Sequence, residues 1–312
     1  MVNCMFPKVS ICIPTYNEPK YLKKLLESVF VQNYLDYEVV ITDDTQDDRI
    51  NNVINQYGDS KLRYFKNEKR LGSPENWNEA VRHAKGEYIK IMHHDTWFLD
   101  ENSLREYINM LENNPNCDFA FSGTLCEFSS TNETKVHAAD EIQRSLLSEN
   151  PDILFAGNFI GSPSATIYRS TVKEQFDINL RWVVDIDFYI RVLRINKEYG
   201  FTPKPTLVET DSNRNRITNE CINSKKIELY EYIYLYNKLY RKGNKKAVYG
   251  SVIKQKFMKY GIKSIRELKD LEITVSKQAY YIKWLVLISS LCTLKVTVTR
   301  NLKRAYLSIF GR

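Results

Sequence analysis

The chain has 312 residues, 43% hydrophobic and 27% charged, which excludes a disordered or low-complexity protein and allows one large domain with a smaller appendage. Its 45 basic and 38 acidic residues give a net charge of +7, and no uninterrupted apolar run reaches the roughly 18 residues that would suit a bilayer span. The six cysteines, Cys4, Cys12, Cys117, Cys126, Cys221 and Cys292, lack zinc-site or disulfide-framework spacing, so they read as reduced thiols of a cytosolic protein.

From residue 8 to about 122, short β-rich runs alternate with helical periodicity, the pattern of βαβ units around a mainly parallel sheet. VSICIP (9–14) is the first strand; Pro19 opens a helix with Leu22, Leu25, Leu26, Val29 and Phe30 on one face. EVVIT (38–42) is the second strand, ending in Asp43 and Asp44, followed by a helix marked by Ile50, Val53, Ile54 and Tyr57. LRYF (62–65) is the third; Pro74 then opens a helix that runs to Lys85 and is closed by Gly86. YIKIM (88–92) is a buried fourth strand, with HHD (93–95) at its carboxyl end.

Leu104, Tyr107, Ile108 and Leu111 mark a further helix, DFAF (118–121) and ATIY (165–168) further strands, and a helix starts near Asp185. The polar stretch Glu127 to Asp140 reads as a loop, and TPKPT (202–206) as a break. Beyond Cys221 the chain is helical and rich in Lys and Tyr, which predicts an α/β domain over 1–222 and a helical region over 223–312.

In an open parallel sheet, ligands bind beyond the carboxyl ends of the strands, where helix N-termini point outward. PTYNE (14–18), TDD (42–44) and HHD (93–95) occupy three such ends and are expected to share one crevice. Carboxylates there can accept hydrogen bonds from a base or ribose, or ligate a hard cation that neutralises phosphates; helix capping and turn chemistry are the alternatives for Asp43 and Asp44.

VSICIPTYNE, EVVITDD and GEYIKIMHHD, in this order and spacing, resemble the family 2 glycosyltransferases of the GT-A fold, of the kind that build bacterial polysaccharide, O-antigen or capsule. The resemblance implies an inverting transferase that uses a nucleotide sugar, UDP-type, with a glycan or polyprenyl-linked saccharide as acceptor. It implies that Pro14, Tyr16 and Glu18 line the nucleotide pocket, that Asp44 accepts a hydrogen bond from the uracil ring nitrogen, and that Asn78 faces the nucleotide. HHD departs from the family's acidic run: Met92 and His94 stand where acids are usual, so Asp95 alone remains as a hard ligand for Mn²⁺ or Mg²⁺. For His93 and His94 a hydrogen bond to ribose or to a neighbouring residue competes with ligation.

RWVVDIDFYIRVL (181–193) resembles the family's acidic motif and places Asp185 at the catalytic base, with an N-cap as the competing role. GNFIGSPSATIYR (157–169) looks like the acceptor-side segment. Arg214 and Arg216 in SNRNRIT (212–218) suit a lid over diphosphate, or a solvated turn. A nucleotidyltransferase is disfavoured because PTYNEPK has no glycine for a phosphate loop, and a non-catalytic nucleotide-binding protein on the same scaffold stays open.

The seven basic residues after Ser276, with no acid among them, leave 38 basic against 38 acidic residues in the remainder. Together with the apolar, aromatic-flanked block YYIKWLVLISSLCTL (280–294) they suggest a tail lying on an anionic membrane surface, or else a helical hairpin packed on protein. The expected location is the cytoplasm, peripheral on the inner face of the cell membrane. A nucleic-acid partner is not expected, since the aromatics are not interleaved along a basic groove; oligomerisation is left open.

Overall fold

The structure, a computed structural model, describes residues 6–213, 217–240, 246–273 and 285–286. The chain divides into two compact units, Met1–Arg216 and Ile217–Arg312. In the first, β1 (Val9–Thr15) is followed by α1 (Pro19–Phe30), β2 (Tyr37–Asp43), α2 (Arg49–Ile54), β3 (Leu62–Lys66), α3 (Glu75–His83) and β4 (Tyr88–Ile91). Then come β5 (Thr96–Phe98), α4 (Ser103–Glu112), β6 (Phe119–Phe128), β7 (Glu133–His137), α5 (Glu141–Glu149), β8 (Thr166–Arg169), α6 (Val184–Ile195) and β9 (Tyr199–Thr210).

One sheet joins all these strands in the order β3-β2-β1-β4-β8-β6-β9-β5, with β7 on β6. β1 to β4 are mutually parallel, while β8 is antiparallel to both β4 and β6 and β5 is antiparallel to β9. Six strands therefore run one way and β5, β7 and β8 run back. α1 buries Leu22, Leu25, Leu26 and Val29 against Val9, Ile11, Ile13, Val39 and Ile41 of the central strands, the apolar stripe anticipated from its spacing.

β1 and β4 pair only as far as Cys12 and Ile91, the last link being the Met92 N–H to the Cys12 carbonyl at 2.9 Å. Pro14 lies past that point, where a strand residue without an N–H leaves no rung unmade. The crevice between β1 and β4 opens there, as expected of a sheet whose connections reverse on either side of its first strand. Gly86 is not a left-handed helix cap: a side chain on it would meet the Ser10 nitrogen at 2.5 Å, so its role is to let the chain entering β4 lie against β1.

Two segments differ from the sequence reading. The polar stretch after Glu127 is a β6–β7 hairpin, with Leu125 opposite Val136 and Asn132 at φ 55° in its turn. β7 is exposed almost throughout, so it carries no apolar alternation; its pairing is made by the backbone. β9 continues through TPKPT, with a register shift against Ser122 to Thr124, where Gly123 lets the Pro203 carbonyl approach to 2.5 Å of where a side chain would begin.

The second unit comprises α7 (Ile217–Cys221), α8 (Lys225–Leu239), α9 (Lys246–Tyr260) and α10 (Ile265–Asp270) among the described residues. Leu229, Ile233 and Tyr236 of α8 and Ile253 and Phe257 of α9 are buried. Glu228, also buried, accepts from Lys256 at 2.7 Å and Lys259 at 2.8 Å. Burial raises its pKa, but these charged donors outweigh burial and bring it to about 2. No helix of the described residues is long and apolar enough to cross a membrane. The basic tail after Ser276 lies, apart from Leu285 and Val286, outside the described residues.

Candidate functional site

The carboxyl ends of β2, β1 and β4 are neighbours in the sheet, so the three polar sequences end on one rim. After β1 the chain turns through Tyr16 and Asn17, the latter at φ 58°, a conformation that asparagine tolerates better than most residues. The Asn17 N–H donates to the Thr45 hydroxyl at 2.8 Å, and the Asp44 N–H to the Thr15 carbonyl at 3.0 Å, tying the ends of β1 and β2 together. Asn76, a residue the sequence did not single out, adds to this: its Nδ2 donates to the carbonyls of Thr15 and Thr42, each at 3.3 Å. Glu18 is half-buried at the start of α1 without capping it through its side chain.

Asp44 is buried and holds the loop between β3 and α3. Its Oδ1 accepts from Asn67 Nδ2 at 2.8 Å and the Leu71 N–H at 3.0 Å, and its Oδ2 from the Gly72 N–H at 2.7 Å. A carboxylate has about four acceptor directions, so one is left for a bound base. The same loop carries Arg70, whose guanidinium lies 4.1 Å from the centre of the Tyr16 ring. The basic run before Gly72 was the available signal for Arg70, but the stacking partner was not legible. Asp43 is an internal residue, accepting from the Thr45 N–H and the Tyr64 hydroxyl, each at 2.8 Å.

The Asn78 side chain, expected to face the nucleotide, pairs with the backbone of Phe176. It is buried, its Oδ1 accepts the Phe176 N–H at 2.9 Å, and its Nδ2 donates to the Phe176 carbonyl at 2.9 Å. A primary amide can pair with one backbone unit in this two-bond fashion, and that clamps α3 to the segment before α6. Trp77, next to it, packs at 4.5 Å on the His93 ring and at 5.3 Å on Phe176, which stacks on Phe188 of α6 at 4.3 Å. An aromatic row thus links the end of β4 to α6.

In the turn between β4 and β5, His93 and His94 meet different partners. The His93 ring lies against Trp77, and His94 Nε2 is 3.3 Å from Asn213 Nδ2. Asp95 is half-buried. Among the described residues no group of three or more His, Cys, Asp or Glu side chains is arranged to hold a metal ion. A single carboxylate such as that of Asp95 would suit a cation that takes most of its oxygens from a diphosphate and water. Ser212 meets the Tyr21 hydroxyl at 2.9 Å, so the chain after β9 is fastened to α1 and to His94 just before Arg214 and Arg216. Those two arginines lie outside the described residues.

Asp185 occupies the first turn of α6, whose N-cap is Val183, so the capping role weighed against catalysis is not its position. Its Oδ1 accepts the Ile186 N–H at 2.8 Å and its Oδ2 accepts Asn158 Nδ2 at 2.7 Å. Asn158 also donates to the Gly161 carbonyl at 2.8 Å and accepts the N–H groups of Ile160 and Gly161 at 3.1 Å. Gly161 sits at φ 103°, accessible to glycine, and His137 of β7 lies beside it. Tyr189, one helical turn from Asp185, donates to the Gly161 carbonyl at 3.2 Å. Burial first, and then the Asp185 carboxylate, push the Tyr189 phenol well up, so it remains a neutral donor. The segment GNFIGS therefore orients the Asp185 carboxylate through Asn158, a side chain whose role no local pattern disclosed.

The fold and these sequences have known counterparts. An uncharacterized glycosyltransferase of Haemophilus influenzae is 27% identical over 225 residues, 70% of this chain and 74% of that protein. Among solved structures, TarS of S. aureus in complex with UDP-GlcNAc superposes with a TM-score of 0.62 at 17% identity, over 87% of this chain and 77% of that one. A mannosyltransferase of Pyrobaculum calidifontis in complex with GDP-Man and Mn²⁺ gives 0.57 at 16% identity, over 97% and 86%. At such identities the two structures speak for the GT-A-like fold. Residues 10–176, more than half of the chain, match the model of the family described as glycosyl transferase family 2. The chain belongs to glycosyl transferase family 2 and is a glycosyltransferase.

Proposed function

We propose that this glycosyltransferase moves a sugar, with inversion, from a UDP-type nucleotide donor to a hydroxyl of a glycan or polyprenyl-linked saccharide, in the assembly of cell-surface polysaccharide. The observation that carries the reading is the Asp185 carboxylate, held at 2.7 Å by Asn158 in the unit that also bears the β1–β4 crevice. The acceptor oxygen attacks the anomeric carbon as the bond to diphosphate breaks; Asp185 takes the hydroxyl proton, and the nucleoside diphosphate leaves. The carboxylate form of an aspartate is the one that can accept this proton.

Pro14, Tyr16, Glu18 and the remaining acceptor direction of Asp44 line the base and ribose side, with Arg70 beside Tyr16. Asp95 would hold Mn²⁺ or Mg²⁺ together with diphosphate oxygens, and the cation would neutralise charge on the leaving group. His94, Arg214 and Arg216 are assigned to the diphosphate end. The tail after Ser276 is assigned to an anionic membrane surface, which suits an acceptor carried on lipid and a place at the inner face of the membrane. TarS was solved with UDP-GlcNAc, which supports a UDP-type donor.

A panel of UDP- and GDP-sugars, screened by thermal shift with and without Mn²⁺, tests the donor. Turnover is then compared in Asp185→Asn and Asp95→Ala, and general-base loss predicts a fall of about 100-fold or more for the first. Full transferase activity in both variants would sink the mechanism.

A further inference from the structure

Lys90 sits in the middle of β4, opposite Ile11 of β1, with no exposed surface. Its Nζ donates to the main-chain carbonyl of Ser164 and lies 4.0 Å from the centre of the Tyr107 ring; the Tyr107 hydroxyl donates to the same carbonyl at 3.3 Å. Among the described residues no carboxylate pairs with it, and burial pushes its amine well below the ordinary lysine range. A buried amine without a counter-charge costs stability, and an apolar side chain of similar length would fill the space at no such cost. Its place in the core therefore calls for a role other than packing.

That role is visible in what Ser164 touches. Its hydroxyl accepts the His93 N–H at 2.8 Å and meets the Thr96 hydroxyl at 2.9 Å, while Thr96 also donates to the His93 carbonyl at 2.8 Å. Ser164 thus fastens both ends of the turn that bears Asp95. It also follows closely on Gly161, whose loop Asn158 links to Asp185. The Lys90 amine holds the residue that fastens the turn bearing Asp95 and that stands three positions after Gly161.

We propose that Lys90 is a positioning residue for sugar transfer: through the Ser164 carbonyl it fixes the His93–Asp95 turn relative to the Asn158–Gly161 loop and its Asp185. This rests on the roles proposed above for Asp95 and Asp185. Lys90→Met nearly keeps the length of the side chain but removes the donor, so the Ser164 segment loosens while the core stays filled.

The test compares Lys90→Met and Ser164→Ala with the wild-type chain by thermal melting, amide hydrogen exchange and donor turnover. For Lys90→Met we expect a melting temperature equal to or above that of the wild type. Exchange at His93 and at the Ala165 amide should be about tenfold faster or more, and kcat about tenfold lower with little change in donor KM. Ser164→Ala, which keeps the carbonyl, should speed exchange at His93 alone. Wild-type exchange and kcat in Lys90→Met would overturn the proposal, as would a fall in melting temperature with exchange raised throughout the sheet. Exchange is read without turnover, so a chain that used no donor would overturn the sugar-transfer reading while the exchange result still decided the brace.

Discussion

Asn158 Nδ2 donates to Asp185 Oδ2 across 2.7 Å, and an Asn158→Asp variant puts a carboxylate oxygen where that donor stands without changing the size of the side chain. Two unit charges at this separation repel by about 6 kcal/mol at an effective dielectric constant of about 20. That equals roughly four pKa units, and relaxation at a half-buried site reduces the effect to about two or three. The two carboxyls then titrate as a pair sharing one proton, which is released at higher pH than either alone would release it. With Asp185 as the base, the acid limb of the kcat/KM profile moves up by those two or three units, so turnover at about pH 5 falls roughly 10- to 100-fold and the loss shrinks toward neutral pH. The other oxygen of the introduced carboxylate can still accept from the Ile160 and Gly161 N–H groups, which keeps two of the loop's three bonds to this side chain while the Gly161 carbonyl loses its donor. Asn158→Ala removes all four hydrogen bonds and should lower turnover at every pH without moving the limb. Release of nucleoside diphosphate, followed between about pH 5 and 10, reads both variants. An Asn158→Asp enzyme with the wild-type profile would show that Asp185 is not the base.

Glu228, held at about pKa 2 against an ordinary 4.5, stabilises the second unit fully above pH 4.5 and progressively less as pH falls toward 2. Glu228→Gln should therefore destabilise α8 and α9 by about 3 kcal/mol at neutral pH, with the gap narrowing below pH 4.5; hydrogen exchange in the full chain measures it, and a gap that widened in acid would refute the sign. Asp44→Ala should free the loop at Leu71 and Gly72, lowering stability by about 2 kcal/mol or more and nucleotide affinity about tenfold, read by melting and titration calorimetry. Gly86→Ala, with a methyl 2.5 Å from the Ser10 nitrogen, should cost about 1–3 kcal/mol in a denaturant melt; an unchanged midpoint would mean that β1 gives way. Deletion of residues 276–312 should abolish flotation with anionic liposomes, and undiminished binding would remove the membrane assignment.

The residues themselves carried the parallel half of the sheet. Leu22, Leu25, Leu26 and Val29 repeat at the period of a helix, and the runs 9–14 and 38–42 are mostly apolar and buried throughout, without alternation, because strands covered on both faces have no solvent side to mark. The polar residues at the ends of those strands, and Asp185 at the start of a helix, were legible for the same reason: each is placed by its own element. Chain order also gave the β1–α1 turn that presents Tyr16.

What the tertiary structure decided are the partners. Asn78 and Phe176 are 98 residues apart, Lys90 and Ser164 are 74, and Asn158 and Asp185 are 27. A side-chain amide or amine has the same local signature whether it meets a nucleotide, a backbone carbonyl or water. The β6–β7 hairpin stayed hidden because both faces of β7 are largely in solvent, so hydrophobic alternation, the sequence's record of burial, has nothing there to record. Periodicity reports which face of an element is buried. Only the register between elements decides that Asn78 braces α3, that Asp44 holds the loop under Arg70, and that Asn158 turns the Asp185 carboxylate.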